Sequence, residues 1–383
     1  MNTTAAGTDN IVVTVDDIER TGCFNMGKDA RLYYNCGADQ EETLKENTRA
    51  YSRLRLRPRV LRDVAQRQLE VTLLGDQMMS MPIGISPTAL QKWAHTDGEA
   101  ATARASQAEG TVMILSVYSS TCIEDVKKAA PEGLRWSQLQ MFRDRDLVRN
   151  LVRRAEDAGY RALVLTVDMP VGGNKIPRAK KSYTTPEGLR CVKFANFQGI
   201  LDSGYTVPNS PLFKKRGLTD PSQTWDDVSW LMSFTRLPVV LKGITTAEDA
   251  EEAVKRGVSA IIVSNHGGRQ LDGVPATIEI LPEIVRAVGG RIQIYVDGGV
   301  RHGTDVIKAL ALGAKAVFVG RPALWALAYN GEAGVRKMLA ILREEVDRAL
   351  ALMGCSSVDQ LCPEMVVHHG DLTKQARFDG GWK

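Results

Sequence analysis

Short apolar segments alternate with amphipathic stretches from about residue 80 onwards. The eight apolar segments, several of them rich in β-branched residues, are Pro82–Ser86, Val112–Ser116, Arg135–Gln140, Ala162–Thr166, Pro238–Lys242, Ala260–Ser264, Ile292–Asp297 and Ala316–Gly320. Apolar segments without a period of two are typical of parallel strands that are buried on both faces. Eight such strands alternating with helices predict an α/β fold, a (β/α)8 TIM barrel, with a doubly wound open sheet as the structural alternative.

Two of the intervening helices carry clear end signals. Thr246 is a candidate N-cap for a helix over Ala247–Arg256, and Gly257 follows as a stop. A second helix is predicted over Asp144–Ala158 and ends at Gly159. Both helices fall between predicted strands, as a barrel requires.

The segments outside the strand–helix rhythm suggest how the chain is organised. Residues 1–80 are predicted to form an N-terminal helical extension packed on the barrel, helical over Asp16–Ala65 and with a hairpin over Val71–Ser80. The barrel itself is expected over residues 81–360, followed by a C-terminal tail over 361–383. No separate second domain is predicted.

A long insertion, residues 171–223, separates the fourth predicted strand from the fifth. It lacks a sustained apolar period, and Asn174–Arg216 contains nine Lys or Arg residues against Glu187 and Asp202. A loop of this length in a compact domain is often a functional lid. The excess of basic residues suits attraction of an acidic ligand, although a solvated loop is an equal alternative.

Composition and charge exclude several classes of protein. The chain is 44% hydrophobic and 25% charged with a net charge of +4, which argues against a disordered chain and against a nucleic-acid-binding protein. No apolar run is long enough to span a membrane. The six cysteines form no Cys-x-x-Cys pair, so neither a zinc site nor a disulfide framework is expected. With no apolar leader near the N-terminus, the expected compartment is the cytoplasm.

Polar residues stand where nearly every predicted strand ends. They are Thr88, Ser116, Gln138, Gln140, Thr166, Asp168, Lys242, Ser264, Asn265, His266, Asp297, Gly320 and Arg321. Each alone is readily explained as a turn or capping residue. Because the carboxyl ends of all barrel strands open at one mouth, the whole set predicts an active site there.

The last two strands end in sequences suited to a phosphate group. The seventh leads into Asp297-Gly-Gly-Val-Arg301-His-Gly-Thr and the eighth into Gly320-Arg321-Pro, each followed by a helix. Glycines allow backbone N–H groups to approach a ligand, and helix N-termini favour anions. The pair of Gly/Arg strand ends therefore predicts a bound phosphate.

Lys242, His266, Arg269 and Asp168 supply candidate chemistry. Lys242 has two interpretations, a Schiff-base amine or a cation that stabilises negative charge on a bound ring. His266 has the unperturbed pKa of a general base near neutral pH, and Asp168 is a candidate partner for its imidazolium. Arg269 offers a planar fork for a carboxylate. A base beside a carboxylate ligand suits an α-hydroxy or α-amino acid.

The segment Ser264-Asn-His-Gly-Gly-Arg-Gln-Leu-Asp272, followed by Val274-Pro-Ala-Thr, resembles the signature of the FMN-dependent α-hydroxy acid oxidase and dehydrogenase family. That family includes glycolate oxidase, lactate oxidase, mandelate dehydrogenase and the flavin domain of flavocytochrome b2. The segments around Asp297, Lys308 and Gly320 and the run Pro87-Thr-Ala-Leu-Gln are also similar to family motifs. The resemblance extends from about residue 16 to residue 360.

The resemblance implies a role for each matching residue. FMN contacts are implied for Thr88, Ala89, Ser116, Gln138, Thr166, Lys242, Ser264, Asp297, Gly299, Arg301, Gly320 and Arg321. Substrate contacts are implied for Tyr33, Tyr118, Gln140, Lys175 and Arg269, with His266 as the base, Asp168 as its partner and Lys242 assisting. The resemblance implies a homotetramer and does not imply a metal.

Two positions depart from the family pattern. Gln140 replaces a tyrosine that helps to bind substrate, and Lys175 replaces an arginine that helps to hold its carboxylate. Lysine is a point charge and not a fork, so the second change is not neutral. Loss of the phenol ring predicts a larger pocket and a substrate bulkier than glycolate, whereas a neighbour that fills the space would leave specificity unchanged.

The expected activity is oxidation of an (S)-2-hydroxy acid to the 2-oxo acid, with FMN as the electron acceptor and O2 reduced to hydrogen peroxide. Alternatives are a dehydrogenase that passes electrons to a quinone or cytochrome, and a flavin-binding scaffold without catalysis. The polar loop after the fourth strand favours the oxidase. The presence of all four candidate chemical residues argues against the scaffold, and these are Lys242, His266, Arg269 and Asp168. The C-terminal Gly-Gly-Trp-Lys383 is not a Ser-Lys-Leu-type peroxisomal signal, although eukaryotic relatives are often peroxisomal.

Overall fold

Eight parallel strands close into a barrel in the computed structural model, which describes residues 11–176, 195–197 and 218–371. The barrel strands, in chain order, are β4 Ile83–Ile85, β5 Met113–Leu115, β6 Arg135–Leu139, β7 Leu163–Thr166, β8 Val239–Ile244, β9 Ala260–Val263, β10 Gln293–Asp297 and β11 Ala316–Val319. Neighbours in the chain are neighbours in the barrel, and β11 pairs with β4 to close it. The predicted (β/α)8 barrel is confirmed, and the open sheet is wrong.

A helix follows each barrel strand. These helices are α4 Gly98–Ala108, α5 Ile123–Ala129, α6 Arg145–Asp157, α7 Trp225–Met232, α8 Ala247–Lys255, α9 Thr277–Val288, α10 Gly303–Ala311 and α11 Arg321–Leu352. The predicted N-cap Thr246 is confirmed, since its side chain accepts a hydrogen bond from the first turn of α8. Asp144, predicted as the first residue of its helix, is instead the N-cap of α6 and accepts hydrogen bonds from that helix's first turn.

The N-terminal extension is helical only in its first part. It contains α1 Val15–Asn25, α2 Lys28–Asn35 and α3 Glu42–Arg53, followed by β1 Leu54–Leu56 and the hairpin of β2 Val71–Leu73 with β3 Gln77–Met79. The predicted hairpin is confirmed, but the prediction that the helix continues through Ala65 is wrong. The chain leaves α3 after Arg53 because β1 pairs antiparallel with β12, Val366–His368, near the other end of the sequence.

Three aromatic side chains fill the interior of the barrel. Trp136 on β6, Tyr295 on β10 and Phe318 on β11 are buried, with ring centroids 5.7–5.8 Å apart. Because β6 and β10 lie on opposite sides of the ring, these side chains meet only inside it. The indole Nε1 of Trp136 donates to Gln77 Oε1 on the hairpin at 2.7 Å, so the hairpin is tied to the barrel core.

Most of the predicted lid, residues 177–194 and 198–217, lies outside the described residues. The described turn Ala195–Phe197 packs on the loop that follows β5. Asn196 is buried and donates to Val117 O at 3.0 Å while it accepts from Ile123 N, and the ring of Phe197 contacts Tyr118. Within the described ranges, none of the helices combines the length and apolar character of a membrane span.

Replacing Trp136 with alanine should lower the free energy of unfolding by about 3–5 kcal/mol, because it leaves a large cavity and an unpaired Gln77 amide. The matched control is Phe24→Ala, since the side chain of Phe24 is 85% exposed and its loss should change stability by less than about 0.5 kcal/mol. Urea unfolding followed by fluorescence and circular dichroism measures both variants. Similar midpoints for the two would contradict the assigned core.

Candidate active site

A cavity of about 680 Å³ opens at the carboxyl ends of the barrel strands. Nearly all of the predicted site residues form its wall, namely Tyr33, Thr88, Ala89, Ser116, Tyr118, Gln138, Gln140, Thr166, Lys175, Lys242, His266, Arg269, Asp297, Gly299, Arg301, Gly320 and Arg321. The other three lie directly behind it, with Asp168 bonded to His266, Ser264 to Lys242 and Asn265 to the wall residue Asn47. The structure thus brings the predicted set together.

His266 and Asp168 form a hydrogen-bonded pair. His266 Nδ1 lies 3.0 Å from Asp168 Oδ1, so that a proton on Nδ1 leaves Nε2 as the basic nitrogen. Burial lowers the pKa of His266, and the charge of Asp168 partly opposes this shift. Burial alone would raise the pKa of Asp168, but His266 and Lys242 outweigh it and lower the pKa. The pair therefore rests as a neutral imidazole beside a carboxylate.

The backbone around His266 is held in an uncommon conformation. His266, Gly267 and Gly268 all have positive φ angles, of 58°, 65° and 71°. A Cβ on Gly268 would lie 2.6 Å from Leu44 N, so only glycine fits against α3 there. Positive φ in a histidine costs energy and is found where function requires an orientation. This turn sends the imidazole back over the mouth toward Asp168.

Asp168 approaches His266 because β8 is irregular. The pairing of β8 with β9 shifts register between Lys242 and Ile244, and Gly243 between them has φ 113°. A Cβ on Gly243 would lie 2.6 Å from Asp168 Cβ. A glycine at this bulge therefore makes room for the carboxylate.

Lys242 is buried in a polar network at the floor of the cavity. Its Nζ donates to Ser264 Oγ at 2.9 Å and lies 3.4 Å from Asp297 Oδ2, which also accepts from Ser86 Oγ. A hydroxyl and a carboxylate around Nζ fit the interpretation of Lys242 as a cation that stabilises negative charge better than that of a Schiff-base amine. Asp297 Oδ1 is buried and has no hydrogen-bond partner among the described residues, so it suits a ligand hydroxyl.

Arg269 is fixed on the carboxyl end of α2. Its Nη1 donates to the carbonyl oxygens of Tyr33 and Cys36 at 2.9 and 2.8 Å, and the guanidinium lies 5.3 Å from the centre of the Tyr33 ring. Its Nε and Nη2 donate to no residue that the structure describes. That free edge of the guanidinium suits a carboxylate.

Arg321 and Arg301 lie at the phosphate site predicted from the sequence. Arg321 donates to the carbonyl oxygens of Tyr34, Gly267 and Cys36, and Arg301 stacks on Trp325 with its Cζ 4.8 Å from the ring centre. Neither forms an ion pair with a carboxylate among the described residues. Burial, with Arg269 and Arg301 nearby, lowers the pKa of Arg321 to about 9. An anionic ligand would relieve this concentration of positive charge.

Polar side chains at the ends of β4–β7 are linked to one another. Gln138 Oε1 accepts from Val117 N at 2.9 Å, and its Nε2 donates to Thr166 Oγ1 at 3.0 Å. Ser116 Oγ accepts from Tyr118 N, and Thr88 Oγ1 from Gln91. These bonds fix the edge of the cavity before any ligand is bound.

Gln140 belongs to a second polar cluster. Its Oε1 accepts from Thr219 Oγ1 at 2.8 Å and from Tyr118 OH at 3.2 Å, while its Nε2 lies 3.4 Å from Met169 Sδ. Burial raises the pKa of Tyr118, so its phenol stays protonated and can donate. Because Thr219 Oγ1 is hydrogen-bonded to Gln140, the Thr219 side chain occupies part of the space beside the amide.

Lys175 holds two loops together. Its Nζ donates to Gly173 O at 3.0 Å and to Arg269 O at 2.9 Å. Gly173 itself packs so closely that a Cβ there would lie 2.3 Å from Arg269 O. Lys175 thus supports the loop of Arg269 and also lines the cavity.

The sequence missed several wall residues. They are Asn47, Ser86, Arg143, Met169, Thr219 and Gln270. Asn47 forms a reciprocal amide pair with Asn265, and Thr219 faces Phe142 in an isolated antiparallel bridge. Ser86 ends the first predicted strand, so the strand-end pattern could have found it. The other five come from α3 or from loops, where that pattern gives no signal.

Comparison with known proteins places the chain among flavoenzymes. A family model described as FMN-dependent dehydrogenase matches residues 24–368. The chain is 50% identical to 2-hydroxyacid oxidase 1 of Mus musculus and 47% identical to glycolate oxidase of Spinacia oleracea, with 91% of this chain and 94% of each relative covered. A solved mandelate oxidase bound to benzoyl-formic acid is 40% identical with a TM-score of 0.82, over 91% of this chain and 96% of that one.

The residues that line the cavity fit FMN, independently of the relatives. Buried guanidinium groups that have no carboxylate partner among the described residues suit the phosphate, and Asp297 Oδ1, which has no partner there either, suits a ribityl hydroxyl. Lys242, which lines the cavity and donates to Ser264, would stabilise negative charge on a bound flavin ring. FMN as the cofactor and oxidation of 2-hydroxy acids are confirmed by these relatives, which leave the individual substrate open. The chain belongs to the family of FMN-dependent dehydrogenases.

Proposed function

We propose that this protein oxidises an (S)-2-hydroxy acid bulkier than glycolate to the 2-oxo acid. Bound FMN would supply the two-electron acceptor, and dioxygen would restore the oxidised flavin with release of hydrogen peroxide. The observation that carries the proposal is the neutral His266 imidazole, paired with the Asp168 carboxylate, at the same mouth as the edge of the Arg269 guanidinium that has no partner among the described residues. A base and a carboxylate ligand at one mouth are what a 2-hydroxy acid requires.

Each residue has a defined task in this proposal. Arg269 and Tyr33 bind the substrate carboxylate, and Lys175 keeps the Arg269 loop in place. His266 Nε2 accepts the proton of the substrate hydroxyl, and Asp168 stabilises the imidazolium that results. Lys242, paired with Asp297, stabilises negative charge at the floor of the cavity.

The preference for a bulkier substrate depends on Gln140. An amide has less volume than the phenol of relatives, and the side chain lines the cavity. Thr219 and Met169 take up part of the space beside it. The proposal holds that the remaining room admits an aryl or longer alkyl group at Cα. A homotetramer and a cytoplasmic location remain predictions from the resemblance and the composition.

His266→Ala should lower turnover by about 10²–10⁴-fold with FMN still bound, because the general base is lost. The matched control is His369→Ala, which removes an exposed histidine far along the chain from the site. Peroxide release in air and flavin bleaching without oxygen measure turnover across aliphatic and aromatic 2-hydroxy acids. Dye reduction without peroxide would indicate a dehydrogenase, and near wild-type bleaching by His266→Ala would contradict the assigned base.

The acidic limb of kcat/KM should lie below the ordinary histidine pKa of about 6.5, because burial lowers the pKa of His266 and only the neutral imidazole accepts a proton. Activity should fall as the pH falls through that pKa. Asp168→Asn removes a charge that raises the pKa of His266, so the acidic limb of the kcat/KM profile should move to lower pH. The maximum value of kcat/KM should also drop at least ~10-fold. The control Asp146→Asn changes an exposed carboxylate and should alter neither. A limb above pH 7 in the wild type would contradict this assignment.

Gln140→Tyr should shift preference toward small acids by about 1–3 kcal/mol, the range typical of pocket-size discrimination. Gln140→Met is the matched control, because it keeps the volume of glutamine and should keep the preference for larger acids. The measurement is a ranking of kcat/KM from glycolate to long-chain and aryl 2-hydroxy acids. A wild type that already favours glycolate, with no change in Gln140→Tyr, would exclude the larger pocket.

A further inference from the structure

Gln140 and Arg143 lie across the mouth from the residues that bind the substrate carboxylate. They follow β6, the third strand of the barrel, whereas His266 and Arg269 follow β9, the sixth. Strands three places apart in a closed ring of eight stand on opposite arcs. A 2-hydroxy acid held at Arg269 therefore leaves the β6 side of the cavity to its side chain.

The Gln140 amide is oriented by its neighbours. Its oxygen accepts from both hydroxyl groups, Thr219 Oγ1 and Tyr118 OH, which directs the NH2 group away from them. Among the described residues, the one partner of Nε2 is the thioether of Met169, a weak acceptor. Since an amide NH2 carries two hydrogens, a strong donor is left at the cavity wall.

Arg143 adds a positive charge to the lining of the same cavity. Its backbone N–H donates to Leu218 O at 3.1 Å, in the same short bridge that sets Thr219 opposite Phe142. Its side chain is exposed and lines the cavity. No carboxylate in the described part of the chain forms an ion pair with it.

We propose that Gln140 and Arg143 form a second subsite, which binds a carboxylate at the far end of the substrate's side chain. An N–H donor and a guanidinium that line one cavity suit a carboxylate, whereas an alkyl group there would leave Nε2 with only a thioether. The inference rests on the proposed function and names 2-hydroxydicarboxylic acids, in place of aryl or alkyl ones, as the preferred substrates bulkier than glycolate.

The test compares matched pairs of (S)-2-hydroxy acids. Each dicarboxylic acid, with one to three methylene groups between Cα and the distal carboxylate, is paired with an analogue that ends in an isopropyl group of similar shape. The holoenzyme should prefer the best dicarboxylic acid over its analogue by about 10-fold or more in kcat/KM, as expected for a charge-assisted hydrogen bond. The preference should weaken as ionic strength rises, because Arg143 is exposed.

Variants connect that preference to the subsite. Arg143→Met and Gln140→Met should each reduce the ratio within the best pair, with Arg143→Met reducing it at least ~5-fold because it removes the charge. Arg153→Met is the matched control, since it removes an exposed arginine of α6 that does not line the cavity and should leave the ratio unchanged. A ratio near one for every pair, or a ratio that survives Arg143→Met, overturns the subsite.

A binding measurement separates this inference from the proposed function. Dissociation constants of the corresponding 2-oxo acids, measured by calorimetry, should show the same preference and the same loss in Arg143→Met. If binding discriminates but no 2-hydroxy acid bleaches the flavin, the subsite stands and the proposed function fails. If acids of both kinds are oxidised and bound equally well, the proposed function stands and the subsite fails.

Discussion

The arrangement of the site depends on positive charge buried at the mouth of the barrel. Burial, together with the neighbouring Arg269 and Arg301, lowers the pKa of Arg321. None of these three arginines has a carboxylate ion-pair partner among the described residues. Carbonyl oxygens at the end of α2 and in the loop after it hold Arg269 and Arg321 instead. These neutral dipoles orient the guanidinium groups without cancelling their charge. The mouth therefore selects anionic ligands, and the N-terminal extension is as much a part of the site as the barrel.

Backbone conformation determines where the base can act. Three successive left-handed residues, His266 to Gly268, turn the chain back after β9, and the bulge at Gly243 lets Asp168 reach the imidazole. A side chain at Gly268 would collide with the backbone of α3, one at Gly243 with Asp168, and one at Gly267 with the guanidinium of Arg321. The proton acceptor is thus positioned by local geometry, while its neutral resting state follows from burial. Orientation and charge state are controlled by different features, so a substitution can alter one without the other.

The barrel and most of the site were predictable because both depend on short-range patterns. Apolar segments marked all eight strands, and the polar residue after each strand had to face the mouth. The pairing of Leu54–Leu56 with Val366–His368 was not predictable, since it joins segments more than 300 residues apart and overrides a helical pattern. Thr219 and Arg143 were missed for a similar reason, because a bridge between distant loops places them. The sequence also could not show that the guanidinium of Arg321 donates its hydrogen bonds to backbone carbonyl oxygens.

The site divides its tasks between two arcs of the barrel. Proton transfer and charge stabilisation lie with Lys242, His266 and Asp297, on or directly after β8–β10, together with Asp168 after β7. Gln140 and Tyr118 follow β6 and β5, and Thr219 is bridged to the loop after β6. The described hydrogen bonds of the Gln140 cluster do not include the base, its aspartate or the lysine. Exchange of a phenol for an amide at residue 140 therefore rearranges contacts within that cluster and leaves the His266–Asp168 pair as it is. Substrate choice can change on one arc because the chemistry is anchored on the other.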